Sequence, residues 1–115
     1  MKTFTVEFYL SDSEYHTALR RVAGAVCSAA DVDVDALEDF KVCVTESALI
    51  LKNGGFERVR AQFDTDGGVK ATLTGLDGNP KKGDSELSLA LIGALVESFD
   101  IIENGGIIGG ITLKI

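Results

Sequence analysis

Residues 42–51, VCVTESALIL, are apolar almost all the way round when wound as a helix. A surface helix needs only one apolar stripe; this one wants cover on more than one side, so the chain has to build layers around it. With 115 residues, 45% of them hydrophobic, the chain is large enough to do so. A domain of this size buries roughly two-thirds of the surface its unfolded form exposes, without needing disulfides or metal. Disorder is excluded by the abundance of Leu, Ile and Val and the single proline.

The remaining patterns say what the layers are. Residues 3–10 alternate in the manner of a strand, with Phe4, Val6 and Phe8 on one face and Thr3, Thr5 and Glu7 on the other. Ser11 with Glu14 reads as a capping box, and Tyr15, Ala18, Leu19, Val22 and Val26 then recur at helical spacing to about Ala29. A second box, Asp35 with Glu38, opens the apolar helix, which Asn53, Gly54 and Gly55 stop. Residues 56–63 and 69–74 read as strands joined by a Gly/Asp turn. The most turn-like segment, 75–84, precedes a third helix from Asp84 or Ser85 to about Ser98. The end is a hairpin, 99–103 and 109–115, turning near Asn104. The order β-α-α-β-β-α-β-β predicts one α+β domain over residues 1–115. It should be a two-layer α/β sandwich with its helices on one face of a mostly antiparallel sheet.

Charge and cysteines close off several functions. Eleven Lys+Arg against 18 Asp+Glu give a net charge of −7, and the bases are scattered, so nucleic acid is not an expected partner. Cys27 and Cys43 form no CxxC and His16 is the only histidine, which leaves no zinc set and no Ser/His/Asp or Cys/His constellation. The two thiols are expected to be buried in a reducing cytoplasm. No apolar stretch approaches the roughly 20 residues of a bilayer span, and the N-terminus lacks a cleavage-site pattern, so neither anchor nor signal peptide is expected.

Within the apolar helix stands Glu46, with Val42, Ile50 and Asn53 one and two turns away. Two readings are open: an acid facing a ligand with a pKa raised by apolar surroundings, or a solvated charge on an Asp39, Glu46, Asn53 stripe. Gly75, Gly78 and Gly83 lie between a strand and a helix, where amides can meet phosphate, but they match neither GxGxxG nor GxxxxGK[ST]. Lys81 and Lys82 read as a solvated basic pair on that turn, and the glycines of 104–110 as a hairpin.

Three segments together resemble a known family. Residues 87–96, LSLALIGALV, followed by Phe99-Asp100-Ile101 and then GGIIGGITL at 105–113, resemble a GLGLxLI helix start, its next strand and a closing glycine-glycine-threonine strand. Residues 37–53 resemble the helix that carries an N box, Glu, three residues, Asn. These are motifs of the ATP-binding domain shared by gyrase, the heat-shock chaperone, histidine kinases and the mismatch-repair protein. The chain is most similar to the small anti-sigma-factor serine/threonine kinases. The resemblance implies the histidine-kinase-like ATPase fold, Mg·ATP as cofactor, Glu46 as catalytic base, Asp77 and Gly78 on adenine, and Asn53 as a displaced contact. It also implies a bacterial cytoplasmic regulator whose partner is a sigma factor or an anti-sigma antagonist, with homodimerisation through a sheet edge open.

The departures from the pattern reshape that expectation. Ile50 stands where the family has its magnesium-binding asparagine, and Asn53 lies about one turn too far along the helix. Asp77 fits the DxGxG turn only if Asn79 replaces a glycine, and Glu86 and Ser88 replace glycines at the helix head. Glu86 puts negative charge where phosphate would meet a helix N-terminus. About ten residues between Asp77 and Leu87 leave no room for a lid. Each lost charge-assisted or metal contact costs about 1–3 kcal/mol, so three remove roughly two to six decades of affinity. The expectation is a degenerate, protein-binding regulatory module without a cofactor. The alternatives are an active kinase using Mg·ATP and a small-ligand binder in the emptied pocket.

Overall fold

Strands from both ends of the chain meet in one five-stranded sheet with every pairing antiparallel. The computed structural model describes residues 3–115. Its elements are β1 (Thr3–Tyr9), α1 (Tyr15–Ala29), α2 (Val34–Asn53), β2 (Arg58–Asp64), β3 (Lys70–Leu76), α3 (Glu86–Leu95), β4 (Ser98–Asn104) and β5 (Ile107–Lys114), and the sheet order is β1-β2-β3-β5-β4. The two-layer sandwich follows from register. Pairing sets Phe4, Phe63, Ala71, Leu113 and Phe99 in one row and Val6, Ala61, Leu73, Ile111 and Ile101 in the next. Because side chains alternate along a strand, these rows share the face under the helices, while Thr5, Gln62, Thr72, Thr112 and Asp100 face the other way.

Helix α2 is the centre of the helical layer. It packs on α1 at one flank, on α3 at the other, and on β2, β3 and β5 beneath. That is the cover its all-round hydrophobicity requires: Phe40, Cys43, Val44, Ala48 and Leu51 are fully buried. Its buried hydroxyls bond back to the helix itself, Ser47 Oγ to the Cys43 carbonyl at 2.7 Å and Thr45 Oγ1 to the Val42 carbonyl at 2.9 Å. Such i−3 and i−4 bonds let polar side chains sit in an apolar setting without an orphaned donor. Phe40 meets Phe63 edge-on at 6.3 Å, locking α2 to the sheet.

Both expected capping boxes move. Ser11 caps nothing: Asp12 Oδ1 accepts from the Glu14 amide at 3.0 Å, an Asx turn that holds residues 10–14 out of the helix until Tyr15. Helix α2 starts two residues earlier than the Asp35 box predicts, because Asp33 Oδ1 caps the Ala36 amide at 3.0 Å. Helix α3 stops at Leu95 rather than Ser98, which already belongs to β4. The closing hairpin turns through Gly105 and Gly106, both at positive φ (61° and 81°), the two-residue turn that suits strand twist. Among the described residues no helix is long and apolar enough to cross a membrane.

Candidate functional site

The glycine-rich turn 77–85 does not hang free as a lid would; it is bound down onto the end of α2. The Asn79 amide donates to the Gly55 carbonyl (3.0 Å) and the Lys81 amide to the Gly54 carbonyl (2.8 Å). Gly78 sits at φ 79° with the Gly55 carbonyl where a Cβ would project, and a Cβ on Gly83 would come within 2.6 Å of the Asn53 carbonyl oxygen. These glycines therefore serve close backbone approach rather than phosphate binding. Lys82 leaves the turn to lie across Gly106 of the last hairpin.

Between this turn, α2, α3 and the β4–β5 hairpin lies a cleft of about 220 Å³, lined by Ile50, Gly54, Lys81, Gly83, Ser85, Leu89, Ile101, Glu103, Gly106 and Ile108. Ile50 is 3% exposed and forms part of its wall. Lys81, Ser85 and Glu103 supply a cation, a hydroxyl and a carboxylate beside apolar Leu89, Ile101 and Ile108.

None of Glu46, Asn53, Asp77 or Gly78 lines that cleft. Glu46, half-buried on α2, accepts a hydrogen bond from Ser88 Oγ of α3 at 3.0 Å, so its carboxylate straps the two helices together. Its charge reaches Cys43, whose thiol burial pushes up to about 12, with Asp39 and Glu46 adding to the rise. Asn53 ends α2, exposed, with its carbonyl against Gly83. Asp77, held at φ 56°, turns its carboxylate to Arg58 Nε at 2.7 Å. Arg58 in turn holds Glu7 at 3.0 Å, and Arg60 holds it at 2.7 Å. That cluster lies at the sheet, and Glu7 is kept below its usual carboxylate range, first by the Arg60 hydrogen bond. The fold thus brings Asn53 and Gly78 into one loop–helix junction and sends Glu46 and Asp77 to separate partners.

Sequence reasoning missed Ser88 and Arg58 as those partners. Arg58 and Arg60 alternating with Val59 and Ala61 on a strand were the available signal for a charged outer sheet face. Ser88 carried none, because only the α2–α3 crossing sets it opposite Glu46. Among the described residues no three His, Cys, Asp or Glu side chains converge as a metal ion would need. At the position where the resemblance puts a magnesium ligand, Ile50 presents hydrocarbon to the cleft, while Lys81, Ser85 and Glu103 supply its side-chain cation and oxygens. No protein-family model matches the chain, and no curated protein matches it.

Proposed function

We propose that this chain is a regulatory module that acts by binding a protein partner, on a histidine-kinase-like ATPase fold of the anti-sigma-factor-kinase type whose nucleotide chemistry has lapsed. The observation that carries this reading is the cleft of about 220 Å³ walled by Ile50. Sites for drug-sized ligands run to about 300–1,000 Å³ and enclose most of the ligand, so this cleft is small for a nucleotide triphosphate. Element order and the two-layer architecture support the kinship. The engagement of Glu46 by Ser88 and of Asp77 by Arg58 supports the loss. In this reading the module serves a bacterial cytoplasmic partner-switching circuit, with a sigma factor or its antagonist as partner.

Isothermal titration with Mg·ATP and with Mg·ADP tests it. No binding tighter than millimolar is expected; micromolar affinity for either overturns the reading. It would then favour the active kinase, whose signature is labelled phosphate on a partner protein that vanishes in Glu46→Ala.

The mixed lining of the cleft favours one second reading, a binder of a metabolite smaller than a nucleotide. Its mark is a ligand that raises the melting temperature where nucleotides do not.

A further inference from the structure

Helix α3 carries two apolar stripes and the fold uses one. Ser88 and Ile92 are buried against the rest of the molecule, with Leu89 and Leu95 half-buried beside them. Leu87, Ala90, Leu91 and Ala94, at spacing i, i+3, i+4, i+7, share the opposite face and are all exposed, Leu87 at 83%. Next to this helix, β4 forms a free edge of the sheet. Among the described residues, four of the seven exposed large hydrophobics, Leu87, Leu91, Ile101 and Ile102, lie on these two elements. Ile101 lines the cleft and Ile102 points to the opposite face of β4, so the stripe of Leu87, Ala90, Leu91 and Ala94 is the exposed apolar surface that marks an interaction site here.

The ends of this stripe carry one sign. Asp84 and Glu86 stand at the head of α3 and Glu97 follows its end, all exposed. No Lys, Arg or His lies on α3 or between it and Glu97. The ion pairs among the described residues involve Glu7, Glu38 and Asp77, none of these three. A second copy of this chain would set the same three carboxylates against themselves, and an anionic lipid surface would repel them likewise.

From this charge complementarity we propose that the outer face of α3, flanked by the β4 edge, docks an amphipathic helix of a protein partner whose apolar side is bordered by Lys and Arg. The proposal rests on the reading of the chain as a protein-binding module and narrows it to a surface and a partner chemistry. The apolar stripe supplies anchors for a helix face and the carboxylates choose the sign of its flanks.

The test is an NMR titration of the isotope-labelled protein with a synthetic leucine-faced helix flanked by Lys and Arg, set against the same helix flanked by Glu. Shifts confined to residues 84–103, with the basic peptide at least about tenfold tighter than the acidic one, are expected. Leu87→Ser with Leu91→Ser should weaken the basic peptide by about tenfold or more, while Val34→Ser, at an exposed apolar position outside α3, leaves it unchanged. Circular dichroism checks that each variant is folded. Equal binding of both peptides, shifts centred elsewhere, indifference to the leucine substitutions, or a wild-type dimer that Leu91→Ser dissolves would each overturn the proposal. Micromolar Mg·ATP binding would remove the reading of lapsed nucleotide chemistry and leave this result intact. Failure of the peptide with nucleotide still unbound removes the α3 proposal alone.

Discussion

Helices α2 and α3 start from the same sequence property and end in different environments. Both are apolar nearly all round, yet Phe40, Cys43, Val44, Ala48 and Leu51 of α2 are fully buried while Leu87 of α3 is 83% exposed. The difference is position. Helix α2 crosses the middle strands and has a helix on each flank, whereas α3 touches α2 and the edge strand β4. All-round hydrophobicity measures how much cover a helix wants, and the place in the layer decides how much the chain itself supplies. What α3 lacks in cover is the surface on which the proposed partner helix would dock.

The sharpest way to break this contrast is truncation on each helix. Leu51→Ala should cost about 2–5 kcal/mol through lost burial and a residual cavity. Leu87→Ala should stay within about 0.5 kcal/mol, since Leu87 is 83% exposed. Urea unfolding reads both, and equal losses would mean that α3 is covered after all.

A smaller effect comes from the thiols that α1 and α2 bury. Burial pushes Cys27 up to about 11 and Cys43 up to about 12, from an ordinary 9.0. Above pH 9.0 the unfolded chain loses these protons while the folded protein keeps them. The unfolded state then binds fewer protons, so stability is complete below pH 9.0 and falls as pH rises towards about 12. The slope is at most about 1.4 kcal/mol per pH unit for each thiol. Denaturation curves across that window, repeated in Cys43→Ala, should show a shallower alkaline loss in the variant; identical curves would refute a buried, protonated Cys43.

The smallest expected change lies at the joint between the two helices. Ser88→Ala removes the 3.0 Å bond to Glu46 and should cost about 1 kcal/mol. Glu46→Gln, which keeps an acceptor facing Ser88, should cost less. A larger loss in Glu46→Gln than in Ser88→Ala, read from denaturant midpoints, would show that the Glu46 charge matters beyond the strap.

The architecture was legible because periodicity maps directly onto it: Val6 and Phe8 pack against the core, with Phe4 on the same sheet face but more exposed, and 42–51 is enclosed as its composition demands. Helix starts were less legible, since Asp12 and Asp33 competed for backbone amides that Ser11 and Asp35 were equally placed to take. At the candidate site Ile50 lines the cleft, whereas Glu46, Asp77 and Gly78 stand outside its lining. A motif position says which residue types are present, and the partners of those residues come from strands and helices far away in sequence: Ser88 is 42 residues from Glu46 and Arg58 is 19 from Asp77.

The sequence alone determined the number and kind of elements, the layer each belongs to and the acidic character of the surface, because these depend on periodicity and composition within short windows. Only the tertiary structure decided that the 77–85 turn lies bound against residues 53–57, that the cleft beside it is small, and that one stripe of α3 is left bare. Those outcomes depend on which backbones meet and how closely, and steric fit between distant segments is not written in any local pattern.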